Sequence, residues 1–359
     1  MGAIFSNIGA ILIALLALSI IVMVHEFGHF IAGKAVGMQV LEFSIGMGPK
    51  IVQKERKGTM YSLRWLPIGG YCRFLGEDES DDDPRAMNNI SVGRRAIMVA
   101  AGALMNFVFA FVVAALLLMF FGGDYSSRII TVDEGRPAIE AGLMAGDKIV
   151  SVNGVTVETA SQARTEIQKD PTQPITLTVE REGQLVENLV MTPVYDEASQ
   201  SYLIGITFGE RIPLSFFEAI KQAGQMLVDI VTQMFVFLKN LIFKFEGAQD
   251  LGGPVRIVSI LGDAAKIGFA GTWDAITLAI KNLMMFGVLI SINLGVINLL
   301  PIPGMDGARL VFIAIEAIRG KPIPPEKEGM VHFCGLVFMM GLFVVLTFQD
   351  IRALIFPGT

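Results

Sequence analysis

The sequence predicts a polytopic α-helical membrane protein of about four transmembrane helices, with a membrane-associated β-hairpin region after the first span and a β-rich domain inserted after the second. Three observations predict it. Hydrophobic residues make up 53% of the 359-residue chain and charged residues only 17%, a balance outside that of ordinary soluble domains. The apolar residues gather into four runs long enough to cross a bilayer, at residues 8–32, 96–121, 283–300 and 331–348. Between the second and third runs, residues 124–210 instead alternate apolar and polar side chains between Gly- and Asn-containing turns, the pattern of short strands.

The first run has no Lys or Arg ahead of Lys34. It therefore lacks the basic start of a cleavable signal and is expected to remain in the mature protein. Lys34, Lys50, Lys54, Arg56, Lys57, Arg64, Arg73, Arg85, Arg94 and Arg95 crowd the following loop, which places that loop on the cytoplasmic side and the N-terminus outside. The net charge of -6 adds little, because the placement of basic residues orients a membrane chain more than their sum does.

Within the loop, residues 43–77 show short apolar runs punctuated by Gly46, Gly48, Pro49, Gly58, Gly69 and Gly70, which reads as hairpin strands dipping toward the membrane. The acidic run from Glu77 to Asp83, closed by Pro84, reads as a solvated linker. In the inserted segment, residues 128–132, 148–152, 175–181 and 185–192 alternate like strands, and Asn153-Gly154 marks a turn. Residues 216–245 carry Glu218, Lys221, Asp229, Lys239 and Lys244 at intervals that leave one apolar face, an amphipathic helix lying against the membrane. These readings divide the chain into an N-terminal membrane half (1–123), the inserted domain (124–210), the amphipathic helix with its connecting segment (211–276) and a C-terminal membrane half (277–359). Cys72 falls in the cytoplasmic loop and Cys334 in the last span, so no structural disulfide is expected.

Chemistry concentrates in His25-Glu26-Phe27-Gly28-His29, inside the first span. Residues four apart share a helix face, so His25 and His29 can aim imidazole nitrogens at one metal ion, with Glu26 beside them as a base. Ionisable groups at membrane depth are costly and are kept for function. Lys34 lies about 7–8 Å further along the helix, which sets the metal below the cytosolic surface with water reaching it through a polar vestibule. Two histidines need at least one more protein ligand and an open position for water. Asp306 is the candidate. It follows the third span in Asn298-Leu-Leu-Pro301-Ile-Pro303-Gly-Met-Asp306-Gly307, where the prolines end the helix on the same side of the membrane.

Zinc fits this set. Two histidines and a carboxylate also describe non-haem iron sites, but those need no glutamate beside the first histidine. A zinc site completed by a glutamate soon after the motif would have only Glu42, beyond Gly37 in the hairpin. A donor toward a developing oxyanion could come from Asn298 or Asn293, of which Asn298 is preferred. Asn106 reads as a residue that joins helices beside Gly102. His332, at the start of the fourth span, has no partner at ligand spacing and reads as an interfacial residue that tolerates replacement.

These motifs, with Gly102-Ala-Leu-Met-Asn106-Phe in the second span, Pro67-Ile-Gly-Gly-Tyr71 and Gly76-Glu77, resemble the site-2 proteases, in the bacterial branch of regulator-of-sigma-E proteases with one PDZ domain. The resemblance covers nearly the whole chain. Residues 141–154 look like a PDZ core, and Gly253-Pro254-Val255 resembles the segment leading back to the third span. Two departures stand out: Gly102-Ala103 where Gly-Pro is usual, and Ala308-Arg309 where Gly-His is commoner. Neither touches a proposed ligand.

The resemblance implies a zinc metalloendopeptidase of the bacterial cytoplasmic membrane. Its metal ligands would be His25, His29 and Asp306, with Glu26 as base and Asn298 near the oxyanion. The N-terminus and PDZ domain would lie outside and the active site toward the cytoplasm. It further implies regulated intramembrane proteolysis of single-span membrane proteins already cut by another protease, such as anti-sigma factors or remnant signal peptides. The lipid bilayer is the other expected partner, and nucleic acid is not one. The rival reading is a non-enzymatic receptor or transporter that uses a PDZ-like domain for partners. Glu26 separates the two, since a structural zinc site needs no free carboxylate at its side.

Overall fold

The structure is a computed structural model that describes residues 2–77, 79–196, 201–209, 211–244 and 253–355. The chain forms two compact units, one built from residues 1–117 and 221–359, the other from residues 118–220.

The first unit opens with α1 (Gly2–Ala35), about 51 Å long at 1.5 Å per residue and so longer than a ~30 Å hydrocarbon core. Strands β1 (Val40–Arg56) and β2 (Thr59–Phe74) follow, then α2 (Val92–Phe121). α1 and α2 meet through small residues, because a Cβ on Gly28 would lie 2.4 Å from the Ala101 carbonyl oxygen.

The two strands make more than a simple hairpin. Residues 50–56 of β1 pair back onto residues 59–64 across the Lys57-Gly58 turn. The first part of β1 lies between two stretches of β2: Glu42, Phe43, Ser44 and Ile45 face Met60, Tyr61, Ser62 and Leu63 on one side and, in reverse order, Arg73, Cys72, Tyr71 and Gly70 on the other. The stretch 70–74 is therefore an outer strand. A polar network ties the layers together: Ser62 Oγ donates to Glu42 Oε1 at 2.6 Å, and Arg64 Nη2 donates to Glu42 at 2.8 Å and to the Tyr71 hydroxyl at 2.6 Å. Burial alone would raise the Glu42 carboxyl, but bonds from Ser62, Arg64 and Tyr71 outweigh it and lower the pKa to about 2. Met47, Ile51, Val52, Trp65 and Leu66 are exposed on this sheet, an apolar surface suited to lipid.

The second unit is β-rich: β3 (Asp124–Tyr125), β4 (Ile129–Val132), α3 (Pro137–Glu140), β5 (Lys148–Val152), β6 (Val155–Thr156), α4 (Ala160–Lys169), β7 (Ile175–Arg181), β8 (Gln184–Met191), β9 (Val194–Asp196), β10 (Ser201–Leu203), β11 (Ile206–Phe208) and β12 (Arg211–Ile212). An antiparallel sheet runs β6-β5-β7-β8, and β3 pairs β12, β4 pairs β11 and β9 pairs β10. The strands alternate as the sequence predicts, so Ile149, Val152, Ile175, Leu177 and Val179 face one core with Ile129 and Phe208. Beneath it, Arg181 grips the buried Asp147 with two hydrogen bonds of 2.8 Å. Burial opposes ionisation of Asp147, and the Arg181 bonds overcome it and hold the carboxyl below its usual range.

The chain returns through α5 (Phe216–Lys244), the expected amphipathic helix; residue 245 lies outside the described residues. The connecting segment that follows is a correction to the sequence reading, since it contains a helix of its own, α6 (Pro254–Gly268). α6 packs on α1, with Gly262 against Ala10 and Phe269 against Gly9. Its free N-terminal amides are capped from far along the chain: Asp350 accepts from Gly253 N at 3.1 Å and from Arg256 N at 2.8 Å. Then come α7 (Trp273–Leu299), α8 (Asp306–Arg319) and α9 (Pro325–Ile355).

Among the described residues, four helices are long and apolar enough to cross a membrane, α1, α2, α7 and α9. The chain is a polytopic helical membrane protein, and α9 is the least enclosed of the four.

Candidate metal centre

Three elements bring the sequence-predicted metal residues together. His25 and His29 sit one turn apart on α1, and Asp306 is the first residue of α8, delivered by the Pro301–Met305 turn after α7. His25 Nε2 lies 3.2 Å from His29 Nε2, and Asp306 Oδ2 lies 3.1 Å from the first and 3.2 Å from the second. Ligands at tetrahedral corners ~2.0–2.1 Å from zinc stand about 3.3 Å apart. Asp306 Oδ2 is buried and receives no hydrogen bond. Converging lone pairs of this kind are what a cation stabilises, and the residues fit a zinc ion.

One face of α2 is the template for both rings. Met98, Gly102 and Asn106 recur every fourth residue and so share that face. His29 Nδ1–H donates to the Met98 carbonyl at 2.9 Å, which leaves its Nε2 lone pair for the centre. Gly102 leaves the rings their space: a Cβ there would lie 2.3 Å from His29 Nε2 and 2.8 Å from His25 Cε1. Asn106 is fully buried with its amide 3.3 Å from His25 Nδ1. If His25 binds metal through Nε2, its Nδ1–H needs an acceptor, and the Asn106 Oδ1, buried without a partner, supplies one after a flip of the amide. Asn106 thus joins helices as the sequence suggests, and the partner it meets on α1 is a metal-ligand histidine. Its four-residue spacing from Gly102 was the signal that could have revealed it.

Asn298 lies on α7, buried, with its Nδ2 3.5 Å from both ring nitrogens of His25. Glu26 faces the outer strand of the sheet, where Cys72 N donates to its Oε2 at 3.0 Å. Burial and the neighbouring Glu26 and Glu77 charges push the Cys72 thiol up, so it is no nucleophile.

Three further residues escaped the sequence reading. Glu77 is not a solvated linker residue: its Oε1 accepts from Arg309 Nη1 at 2.5 Å and its Oε2 from Phe74 N at 3.1 Å. Arg309, one turn after Asp306, stays charged because the Glu77 and Asp306 charges outweigh its burial. His332 lies outside the ligand cluster, and its Nδ1 accepts from Gly304 N at 3.1 Å, two residues before Asp306. Nearby, a Cβ on Gly335 would lie 2.2 Å from the Pro303 carbonyl oxygen, so α9 is pressed against the turn that carries the carboxylate.

Comparison with known proteins identifies the family. The family model for peptidase family M50 matches residues 13–342. A Clostridium acetobutylicum relative is 34% identical over 344 residues, 95% of this chain and 97% of its own. The zinc metalloprotease RasP of Shouchella clausii is 32% identical over 427 residues, 96% of this chain and 99% of its own. Among solved structures, the PDZ domain of an SdrC-like protein from Listeria monocytogenes matches 24% of this chain and 86% of its own at 20% identity, with a TM-score of 0.21. The chain belongs to peptidase family M50.

Proposed function

We infer that the chain is an intramembrane zinc endopeptidase whose metal is held by His25, His29 and Asp306 and whose general base is Glu26. The observation that carries this reading is the convergence of three ligand atoms within 4.8 Å of one another, two of them from a membrane helix on which a glutamate follows the first histidine. Zinc in such a site supplies Lewis acidity, lowering the pKa of water toward ~7 and polarising a carbonyl. Glu26 takes the proton from the attacking water and returns it to the leaving amine. The Asn298 amide, beside His25, donates toward the oxygen that becomes an anion.

A helical substrate hides its backbone in its own hydrogen bonds. Cleavage requires an extended stretch, and the outer strand 70–74, with Glu26 at its edge, is the surface on which such a stretch pairs. The substrates are single-span membrane proteins shortened by an earlier cut, of the anti-sigma-factor or remnant-signal-peptide class. The inserted unit is read as a PDZ-type domain on the outer side that screens substrates by size or binds a new C-terminus. The cationic loop after α1 sets the catalytic side toward the cytoplasm of a bacterial cell.

The test is cleavage of a tagged single-span substrate by purified protein in detergent, with zinc content measured in parallel. Glu26→Gln should abolish cleavage and retain zinc, and Asp306→Asn should lose both. Cleavage that survives Glu26→Gln would overturn Glu26 as the general base.

A further inference from the structure

Strand 70–74 is an edge whose outward amides are already engaged. In a β-strand alternate N–H groups point to the same side. Cys72 N donates to Glu26 at 3.0 Å and Phe74 N to Glu77 at 3.1 Å, so both point away from β1 toward the space a pairing peptide would fill. These two donors, Cys72 N and Phe74 N, are each held by a carboxylate of the enzyme.

Glu26 is there for chemistry, but Glu77 has no such claim. A carboxylate three residues after the amide it binds could serve simply to fix a turn. That turn is already fixed by backbone bonds on both sides, Leu75 N to Gln39 O at 3.0 Å and Met87 N to Leu75 O at 2.7 Å. The second Glu77 oxygen is clamped by Arg309 at 2.5 Å, on the helix that begins with Asp306. Arg309 gives the carboxylate somewhere to stay when it leaves Phe74. An unprotected strand edge also pairs indiscriminately with any extended chain, and a charged group on it is the usual remedy.

We propose that Glu77 is a displaceable cap on the substrate-pairing edge. It holds the Phe74 amide until an extended peptide supplies a carbonyl in its place, and Arg309 retains the released carboxylate. The cap thereby sets a threshold that favours peptides able to pair along the whole strand over those that touch the metal alone. This inference rests on the strand-pairing reading of substrate binding.

The test uses the full-length zinc protein in detergent and two inhibitors, an extended peptide hydroxamate and the same peptide N-methylated at the amide that would face the strand. Removing a competing charged hydrogen bond should tighten the first by about tenfold in Glu77→Ala. The N-methylated peptide should bind wild type and Glu77→Ala equally, and more weakly than its parent. Glu77→Gln, which keeps an acceptor oxygen for Phe74 N, should stay within about twofold of wild type. Glu77→Ala/Arg309→Ala, which leaves no unpaired guanidinium, should keep the tenfold gain.

An unchanged inhibition constant in both alanine variants overturns the cap. So does equal weakening of the two peptides together with loss of zinc, which would make Glu77 a structural clasp. If N-methylation has no effect on wild type, the strand-pairing reading itself fails and the cap falls with it.

Discussion

Replacing Gly102 with alanine should dismantle the metal centre while leaving α2 intact. The new Cβ would lie 2.3 Å from His29 Nε2, 2.6 Å from His29 Cε1 and 2.8 Å from His25 Cε1, where nonbonded contacts prefer ~3.5 Å. Neither ring is free to swing aside. His29 is tied to the Met98 carbonyl at 2.9 Å, and His25 Nδ1 lies 3.3 Å from Asn106. The ligand nitrogen must then retreat by roughly 1 Å, about five times the ~0.2 Å within which metal–ligand distances hold. Outer-shell changes around a metal cost ~10–100-fold in affinity, and moving a ligand should cost at least the upper figure, about 2.7 kcal/mol. The helix itself works in the opposite direction, because alanine is favoured over glycine in a helix interior by ~1 kcal/mol. Zinc affinity is read by competition with a chromophoric chelator on purified protein, and helix content by circular dichroism. Gly102→Ala protein that binds zinc with wild-type affinity would refute the reasoning, since the rings would then have room that the geometry denies them.

Asn106→Leu, similar in volume but without an acceptor for His25 Nδ1, should lower zinc affinity ~10–100-fold in the same assay with little change in thermal stability. His332→Leu removes the acceptor of Gly304 N and should weaken zinc by several-fold, the worth of one hydrogen bond of ~1 kcal/mol, whereas His332→Asn, whose Oδ1 can stand near the place of Nδ1, should restore most of it. Equal losses in both His332 variants would mean that the ring's bulk matters and not its bond. Arg181→Leu leaves Asp147 buried without its partner and should destabilise the β5–β8 sheet by about 3–5 kcal/mol, read as faster hydrogen exchange of its amides in the full-length protein. Because the folded-state pKa of Asp147 is depressed, the stabilisation it gives is complete above the unfolded value of ~3.9 and is lost as pH falls through the folded one. Wild-type exchange should therefore accelerate below about pH 4. That acid sensitivity should disappear in Arg181→Leu.

The spans were legible because lipid leaves the backbone no alternative to helix, so length and apolarity decide the matter locally. The ligand pattern was legible for a related reason: His25 and His29 announce a shared helix face by spacing, and the turn after α7 frees Asp306 from regular structure. α6 was not legible. Arg256, Asp263 and Lys266 interrupt it and it is only 15 residues long, so what commits it to helix is its packing on α1 and a cap from Asp350, neither visible in its own sequence. The sheet order was hidden as well. A Gly-punctuated loop suggests successive hairpins, but the placement of residues 42–45 between 60–63 and 70–73 depends on contacts that no local pattern encodes. Glu77 was misread for the same cause, because an acidic run is usually solvated and only the arrival of Arg309 from 232 residues away makes this one otherwise.

The centre is assembled by long-range contacts to short-range motifs, and the departure at residue 103 falls outside those contacts. Met98, Gly102 and Asn106 all lie on the α2 face that meets the histidines. Ala103, standing where proline is usual, is fully buried on the neighbouring side, with its carbonyl oxygen 3.2 Å from where a Gly295 Cβ on α7 would lie. A proline at that position would remove one helix hydrogen bond and change how α2 meets α7, but it would leave the notch over the rings open. The glycine is held to its identity by a clearance of 2.3 Å to a ligand atom, whereas its neighbour has only to fit between two helices. The two halves of the motif thus answer to different constraints, and variation is expected at residue 103 and not at 102.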